Sequence, residues 1–168
     1  MYNDTIMLYI LFGLPGVGKT YVGKVFEKYF SYHFYDGDTD MSEEMRQAVQ
    51  RQTVFTNKMR DEFFSRFLES TKALKNAHQN LVISQAFIFE KYRELFLNEF
   101  PEAKFILIKA NDQTREDRLS ERKEFPINKN YARQMIANFE TPTIPHAVID
   151  NAVNGEDAIK KQIETILS

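Results

Sequence analysis

Hydrophobic positions gather in short runs along the chain, at Ile6 to Phe12, His33 to Tyr35, Leu81 to Ser84, Phe105 to Lys109 and Ala147 to Ile149, with helical stretches between them. Runs of that length fit strands buried on both faces, and helices between consecutive strands are what parallel crossover connections require. The pattern predicts an α/β domain with a five-stranded, mostly parallel sheet. A first helix should open near Gly18 and carry Val22, Val25, Phe26 and Phe30 on one face. Ser42 can cap a short helix through Met45, Ala48 and Val49, and Thr56 a longer one with Met59, Phe63, Phe67 and Leu74 inward. Asp112 is expected to cap the helix carrying Arg118, and Ile159, Ile163 and Ile166 mark the last helix. No repeat, low-complexity tract or linker interrupts this alternation, so residues 1–168 read as one domain.

Composition narrows the partners. Lys plus Arg total 22 against 24 Asp plus Glu, and a net charge of −2 gives no general field for a polyanion such as duplex DNA. The absence of cysteine removes disulfide scaffolds, Cys-ligated zinc, iron–sulfur clusters and thiol nucleophiles together. His33, His78 and His146 show no metal-ligand spacing. The apolar run from Ile6 to Phe12 is too short to span a membrane and lacks a signal peptide's basic flank and cleavage site. The expectation is a cytoplasmic protein, a monomer or homodimer, without nucleic acid or membrane partners.

The most specific motif is Gly13-Leu-Pro-Gly-Val-Gly18-Lys19-Thr20, which matches G-x-x-x-x-G-K-[ST] between a predicted strand and a predicted helix. Glycines there let backbone N–H groups turn inward around phosphate oxygens, and the helix N-terminus adds its positive end. Gly13, Gly16, Val17, Gly18, Lys19, Thr20 and Tyr21 are therefore the candidate nucleotide-binding residues, with Lys19 as the mobile charge and Thr20 as a hydroxyl ligand to Mg²⁺. Asp36-Gly37-Asp38 follows the second apolar run. A helix from Lys19 to Phe30 rises roughly 18 Å, and a strand from His33 to Asp38 returns about 17 to 20 Å, which brings both carboxylates level with Lys19. One can hold Mg²⁺ and the other can take a proton from an attacking hydroxyl. The parts of a nucleotide switch are missing: Asn128-Lys129-Asn130-Tyr131 and Asn57-Lys58-Met59-Arg60 lack the Asp of N-K-x-D, and the third apolar run ends in Ser84 instead of an Asp.

The P-loop, D-G-D after a short second strand, and a basic helix leading to a lid resemble the small-molecule kinases of the shikimate kinase and gluconokinase group, with the nucleoside-monophosphate-kinase-like fold. The gluconokinase resemblance extends furthest: Phe55-Thr-Asn-Lys-Met-Arg60 resembles L-T-D-x-D-R, Tyr92-Arg-Glu-Leu95 resembles Y-R-D-x-L, Arg118-Leu-Ser-Glu-Arg-Lys123 resembles R-L-x-x-R-K, and Phe139-Glu-Thr141 resembles the start of F-x-x-L-x-x-P. The chain departs from that pattern at Thr39-Asp40-Met41, at Ser84-Gln-Ala-Phe-Ile-Phe89, which carries no cation, and at Glu124-Phe-Pro126 in place of G-H-F. The resemblance implies a P-loop NTPase-type three-layer sandwich with a small helical lid at 122–130 and substrate-binding helices within 39–80. It implies an ATP- and Mg²⁺-dependent phosphotransferase acting on an alcohol group. The expected acceptor is a sugar acid or similar carboxylated polyol, with a shikimate-kinase-like enzyme or a nucleoside, nucleotide or adenylylsulfate kinase as alternatives. A nucleotide-binding regulatory protein is the alternative from another class. In the resembling kinases Arg118 packs on adenine, Arg122 belongs to the lid and compensates transition-state charge, Asp36 serves Mg²⁺ and Asp38 the acceptor hydroxyl. Arg60, with Arg46 and Arg51 nearby in sequence, is the candidate grip for an anionic acceptor.

Overall fold

The computed structural model of the chain describes residues 7–122, 129–152 and 155–168. Five strands form one sheet: β1 (Met7–Phe12), β2 (His33–Asp36), β3 (Asn80–Ser84), β4 (Lys104–Lys109) and β5 (His146–Asp150). Their order is β2-β3-β1-β4-β5, and every neighbouring pair is parallel. Seven α-helices lie among the described residues: α1 (Lys19–Phe30), α2 (Glu43–Gln50), α3 (Asn57–Ala77), α4 (Glu90–Glu99), α5 (Asp112–Ser120), α6 (Lys129–Asn138) and α7 (Gly155–Leu167).

The alternation of side chains along each strand sorts the apolar runs into two cores. Leu8, Ile10 and Phe12 of β1 face one way, with Leu81 and Ile83 of β3, against Phe63, Phe64 and Phe67 of α3 and Phe96 of α4. Tyr9 and Leu11 face the other way, with Val82, Ile106 and Ile108, against Val22, Val25 and Phe26 of α1 and Ile159 and Ile163 of α7. Helices cover both faces, which is why the central strands read as unbroken apolar runs. Phe67 is fully buried at the middle of the first core, and its truncation to Ala should cost about 3–5 kcal/mol.

The helix starts follow capping chemistry. Ser42 accepts from Met45 N at 3.1 Å and Thr56 accepts from Met59 N at 3.1 Å, as their sequence positions predict. One expected cap is corrected: Asn111, not Asp112, caps α5, its Oδ1 accepting from Thr114 N at 2.7 Å. Asp112 is the first helical residue and pairs with Arg115, a placement its charge also favours near the positive end of the helix. No bounds were predicted for α4 or α6, although a helical stretch was expected between the third and fourth apolar runs. The predicted lid at 122–130 lies largely outside the described residues.

Register sets up the site. Asp36 of β2 is level with Ser84 of β3, which is level with Leu11 of β1. The carboxyl ends of three adjacent strands therefore meet at one edge of the sheet, where open α/β folds bind ligands.

Candidate active site

Beyond Phe12 the chain turns sharply under the neighbouring strand. A Cβ at Gly13 (φ 148°) would lie 2.5 Å from the carbonyl oxygen of Ile108, so only glycine fits this passage. Gly18 (φ 90°) is the N-cap residue of α1 and offers no side-chain cap, so the first amides of the helix have no internal side-chain partner. They are the donors a phosphate would take.

The loop is also held from outside. Arg118 of α5 donates to Gly16 O at 3.2 Å and Val17 O at 3.0 Å, and Asn151, just after β5, donates to Val17 O at 2.8 Å. A second Arg118 nitrogen donates to Asn151 O at 3.1 Å. In a trans peptide C=O and N–H point to opposite sides, so anchoring Val17 O outward directs Gly18 N–H inward. Asn151 is 3% exposed and was not foreseen. Its only sequence signal is a polar residue immediately past an apolar strand at the carboxyl edge of the sheet. Arg118, expected against adenine, reaches the P-loop carbonyls and also borders the cavity that holds Lys19.

Lys19 donates to Gly13 O at 2.9 Å and Leu14 O at 3.0 Å, so its ammonium curls back inside the loop. Its side chain as a whole is half-buried, while the charged end is enclosed. Burial pulls its pKa down from 10.5 to about 8, with Arg122 pushing the same way against the opposing pull of Asp38 and Asp36. Both sequence-predicted carboxylates are thus beside the P-loop lysine.

Thr20 Oγ1 donates to Asp36 Oδ2 at 3.3 Å, and Asp38 N donates to Asp36 Oδ1 at 2.9 Å, where Asp36 caps a short 3₁₀ turn over Gly37–Asp40. Burial raises the Asp36 pKa, and the neighbouring Asp38 charge adds to it. Two carboxylates held this close create a demand for positive charge. Among the described residues no three His, Cys, Asp or Glu side chains cluster well enough to hold a metal. The Thr20 hydroxyl and the Asp36 carboxylate, two hard oxygen donors side by side, fit a Mg²⁺ that would take its other ligands from phosphates and water. Asp38 Oδ1 accepts from Gln85 Nε2 at 3.1 Å, and Gln85 Oε1 accepts from Ala86 N at 2.7 Å. Gln85, the first residue past β3, orients Asp38 and was not foreseen. Asp40, by contrast, is fastened to Tyr35 of β2 and to Ser70 of α3.

A cavity of about 310 Å³ joins these groups. Gly16, Gly18, Lys19, Thr20, Asp36 and Asp38 line one end, and Arg118 and Arg122 flank it. Gly13, Val17 and Tyr21 do not line it, and Tyr21 is 42% exposed on α1. Arg60 lies on the far wall, where it donates to Phe55 O at 2.7 Å and Asn57 Oδ1 at 2.7 Å, with its guanidinium 4.9 Å from the Phe89 ring centre. Arg46 and Arg51 are not on the wall. Residues from the predicted substrate-binding stretch, among them Met41, Met45, Val49 and Phe63, do line it.

A profile described as the AAA domain matches residues 10–137, more than half of the chain and all of the site's first three strands beyond Tyr9. The chain belongs to this AAA-domain family. Solved structures similar to this chain include small-molecule kinases. An unliganded sugar kinase from Janibacter sp. HTCC2649 is 19% identical, with a TM-score of 0.80 over 97% of this chain and 94% of that one. A gluconokinase from Sinorhizobium meliloti 1021 is 16% identical, with a TM-score of 0.79 over 94% and 89%. A shikimate kinase from Bacteroides thetaiotaomicron is 18% identical, with a TM-score of 0.67 over 95% and 96%. No curated protein matches. At these identities the likeness establishes the fold, a P-loop α/β sandwich. No helix among the described residues is long and apolar enough to cross a membrane.

Proposed function

We propose that this AAA-family member is an ATP-dependent phosphotransferase that moves the γ-phosphoryl group to a hydroxyl of a small molecule. The observation that carries this reading is the convergence of Lys19, Thr20, Asp36 and Asp38 at one end of a single cavity, with room beyond them for an acceptor. Backbone amides from Gly16 to Thr20 and the Lys19 ammonium bind the phosphates. Mg²⁺, held by Thr20 and Asp36, would supply charge neutralisation on the phosphate oxygens. Asp38, oriented by Gln85, accepts the hydroxyl proton as the acceptor oxygen attacks the γ-phosphorus. The new O–P bond forms, the bond to the β,γ-bridging oxygen breaks, and ADP leaves with that electron pair. Arg122 compensates the charge that spreads over the transferring group.

By resemblance the gluconokinase-like motifs point to a sugar-acid acceptor, whereas shikimate-like and nucleoside acceptors would use the same phosphate machinery. ADP formation that rises with one compound of an acceptor panel tests the enzyme reading. Tight ATP binding with no acceptor-dependent turnover across the panel would favour the nucleotide-binding regulatory alternative.

A further inference from the structure

Polar groups are concentrated at the phosphate end of the cavity, and the acceptor end is a wall of rings and thioethers. Met41 and Met45 come from the segment after the 3₁₀ turn, Phe63 and Phe64 from α3, and Phe87 and Phe89 from the loop after β3. Tyr131 and Met135 of α6 close the other side. The rings brace one another: Phe63 and Phe64 meet edge to face at 5.0 Å, and Phe64 and Phe87 lie 5.2 Å apart. This wall is prearranged.

Hydrogen bonds from a buried side chain keep it so. Phe87 has φ 49°, in the left-handed region that a bulky residue rarely adopts. Buried Arg93 holds that loop, donating to Phe87 O at 2.8 Å and Ile88 O at 3.3 Å while paired with Glu90. Strain maintained by a buried charge network at a cavity wall points to function rather than packing alone.

A polyol does not suit this wall. Each hydroxyl taken from water needs a partner, and beyond Asp38 and Gln85 the side chains here are mostly hydrocarbon and thioether. Arg60 is a weak grip for a carboxylate, because two of its nitrogens are bonded within the protein and its Nε is buried without a partner. A nucleoside would offer a flat body but would leave the polar edge of its base against phenyl rings. The cavity volume of about 310 Å³, shared with the phosphate end, sits at the low end of the roughly 300–1,000 Å³ range of ligand sites, so the acceptor is small.

Resting on the phosphotransferase reading, we infer that the acceptor is an alcohol borne on an apolar ring, its hydroxyl at Asp38 and its ring against Phe63, Phe64, Phe87 and Phe89. The hydroxyl oxygen attacks the γ-phosphorus of ATP, its proton passes to Asp38, and the phosphate ester of the ring alcohol and ADP are the products.

The test is a panel of 2-phenylethanol, benzyl alcohol, cyclohexylmethanol, gluconate, xylitol and adenosine, each supplied with ATP and Mg²⁺. Phosphate esters are read by ³¹P NMR, and binding to protein loaded with a non-hydrolysable ATP analogue by saturation-transfer NMR. The ring alcohols should exceed gluconate, xylitol and adenosine by about tenfold or more in kcat/KM, the scale of a lost apolar contact or an unpaired buried polar group. Phe89→Ser and Met41→Ser, both at half-buried positions, should shrink that preference, and Phe89→Leu should restore most of it. Preference for gluconate, xylitol or adenosine, or no binding of any ring alcohol to the loaded protein, overturns the inference. Ring alcohols that bind without forming an ester would sink the phosphotransferase reading while leaving the acceptor-site inference standing.

Discussion

The two ends of the cavity are built on opposite principles. The phosphate end is made of backbone: a glycine-rich turn, an uncapped helix start and carbonyls clamped by Arg118 and Asn151. The acceptor end is made of side chains, mainly Phe and Met, drawn from four separated parts of the chain. A backbone site must be spelled in contiguous residues, because only particular φ angles turn consecutive amides the same way. A side-chain site has no such constraint and can be assembled from anything the fold brings near. On the proposed function, the first would hold a group common to all nucleotides and the second would decide what receives the phosphoryl group.

The contrast breaks most sharply at Lys19. Lys19→Ala should reduce phosphoryl transfer by roughly a thousandfold, the scale of losing a charge-stabilising donor at a transition state of about 3–4 kcal/mol. Folding should be unharmed, since the native state encloses this ammonium at a cost, as its lowered pKa shows. Steady-state ADP release with thermal melts checks both halves, and a variant as active as the parent would remove the P-loop from the mechanism.

Asp38→Asn should lower kcat by about a hundredfold, within the usual reach of general-base catalysis, with little change in ATP affinity. Asp36→Asn should instead raise the Mg²⁺ concentration needed for half-maximal rate, because Asp36 bonds to Thr20 whereas Asp38 bonds to Gln85. Mg²⁺ titrations of the two variants separate the roles. Identical curves would mean that the carboxylates act as one structural turn.

That difference in construction also governs what the chain revealed before its fold was known. All five strands and the helix starts at Lys19, Glu43 and Asn57 were legible, because apolar runs and Ser or Thr caps are local signals. Asp36 and Asp38 were placed beside Lys19 by chain length alone. The α5 cap was misplaced by one residue because Asn111 and Asp112 are both competent caps and only backbone geometry chooses between them. The start of α4 stayed hidden because its N-cap position is Phe89, which makes no side-chain cap bond. Gln85 and Asn151 were invisible because their roles depend on carboxylate and carbonyl partners 47 and 134 residues away. The apolar acceptor wall escaped for the same reason: Phe63 and Phe67 were both read as core, yet only Phe63 also borders the cavity, and nothing in the sequence separates the two.

Asn151 sharpens the comparison from the backbone side, since it never reaches the cavity wall and can act on phosphates only through the loop. Asn151→Ala removes one hydrogen bond to Val17 O, a loss of about 0.5–1.5 kcal/mol, or roughly two- to tenfold in ATP affinity. Acceptor binding to the nucleotide-loaded enzyme should be unchanged. Calorimetric titration of ATP and of acceptor distinguishes this from a general loosening of the fold, in which both affinities would fall together.

The smallest expected effect is a pH dependence confined to the phosphate end. The Lys19 pKa is lowered from 10.5 to about 8 by burial, so the unfolded chain binds more protons than the folded one between those values. Stability carries the cost of the enclosed charge in full below about pH 8 and recovers it as pH rises toward 10.5. Nucleotide binding runs the other way. It requires the ammonium, and the charged fraction of a group titrating near 8 falls about twofold between pH 7 and pH 8. ATP affinity should therefore weaken by about that factor over this interval and more steeply above it, while acceptor affinity, which rests on apolar contact, stays flat. Lys19→Arg keeps its charge across the range and should flatten the ATP curve even if it binds less tightly. A wild-type ATP curve that is level from pH 7 to 9 would mean that the ammonium is not enclosed before nucleotide arrives.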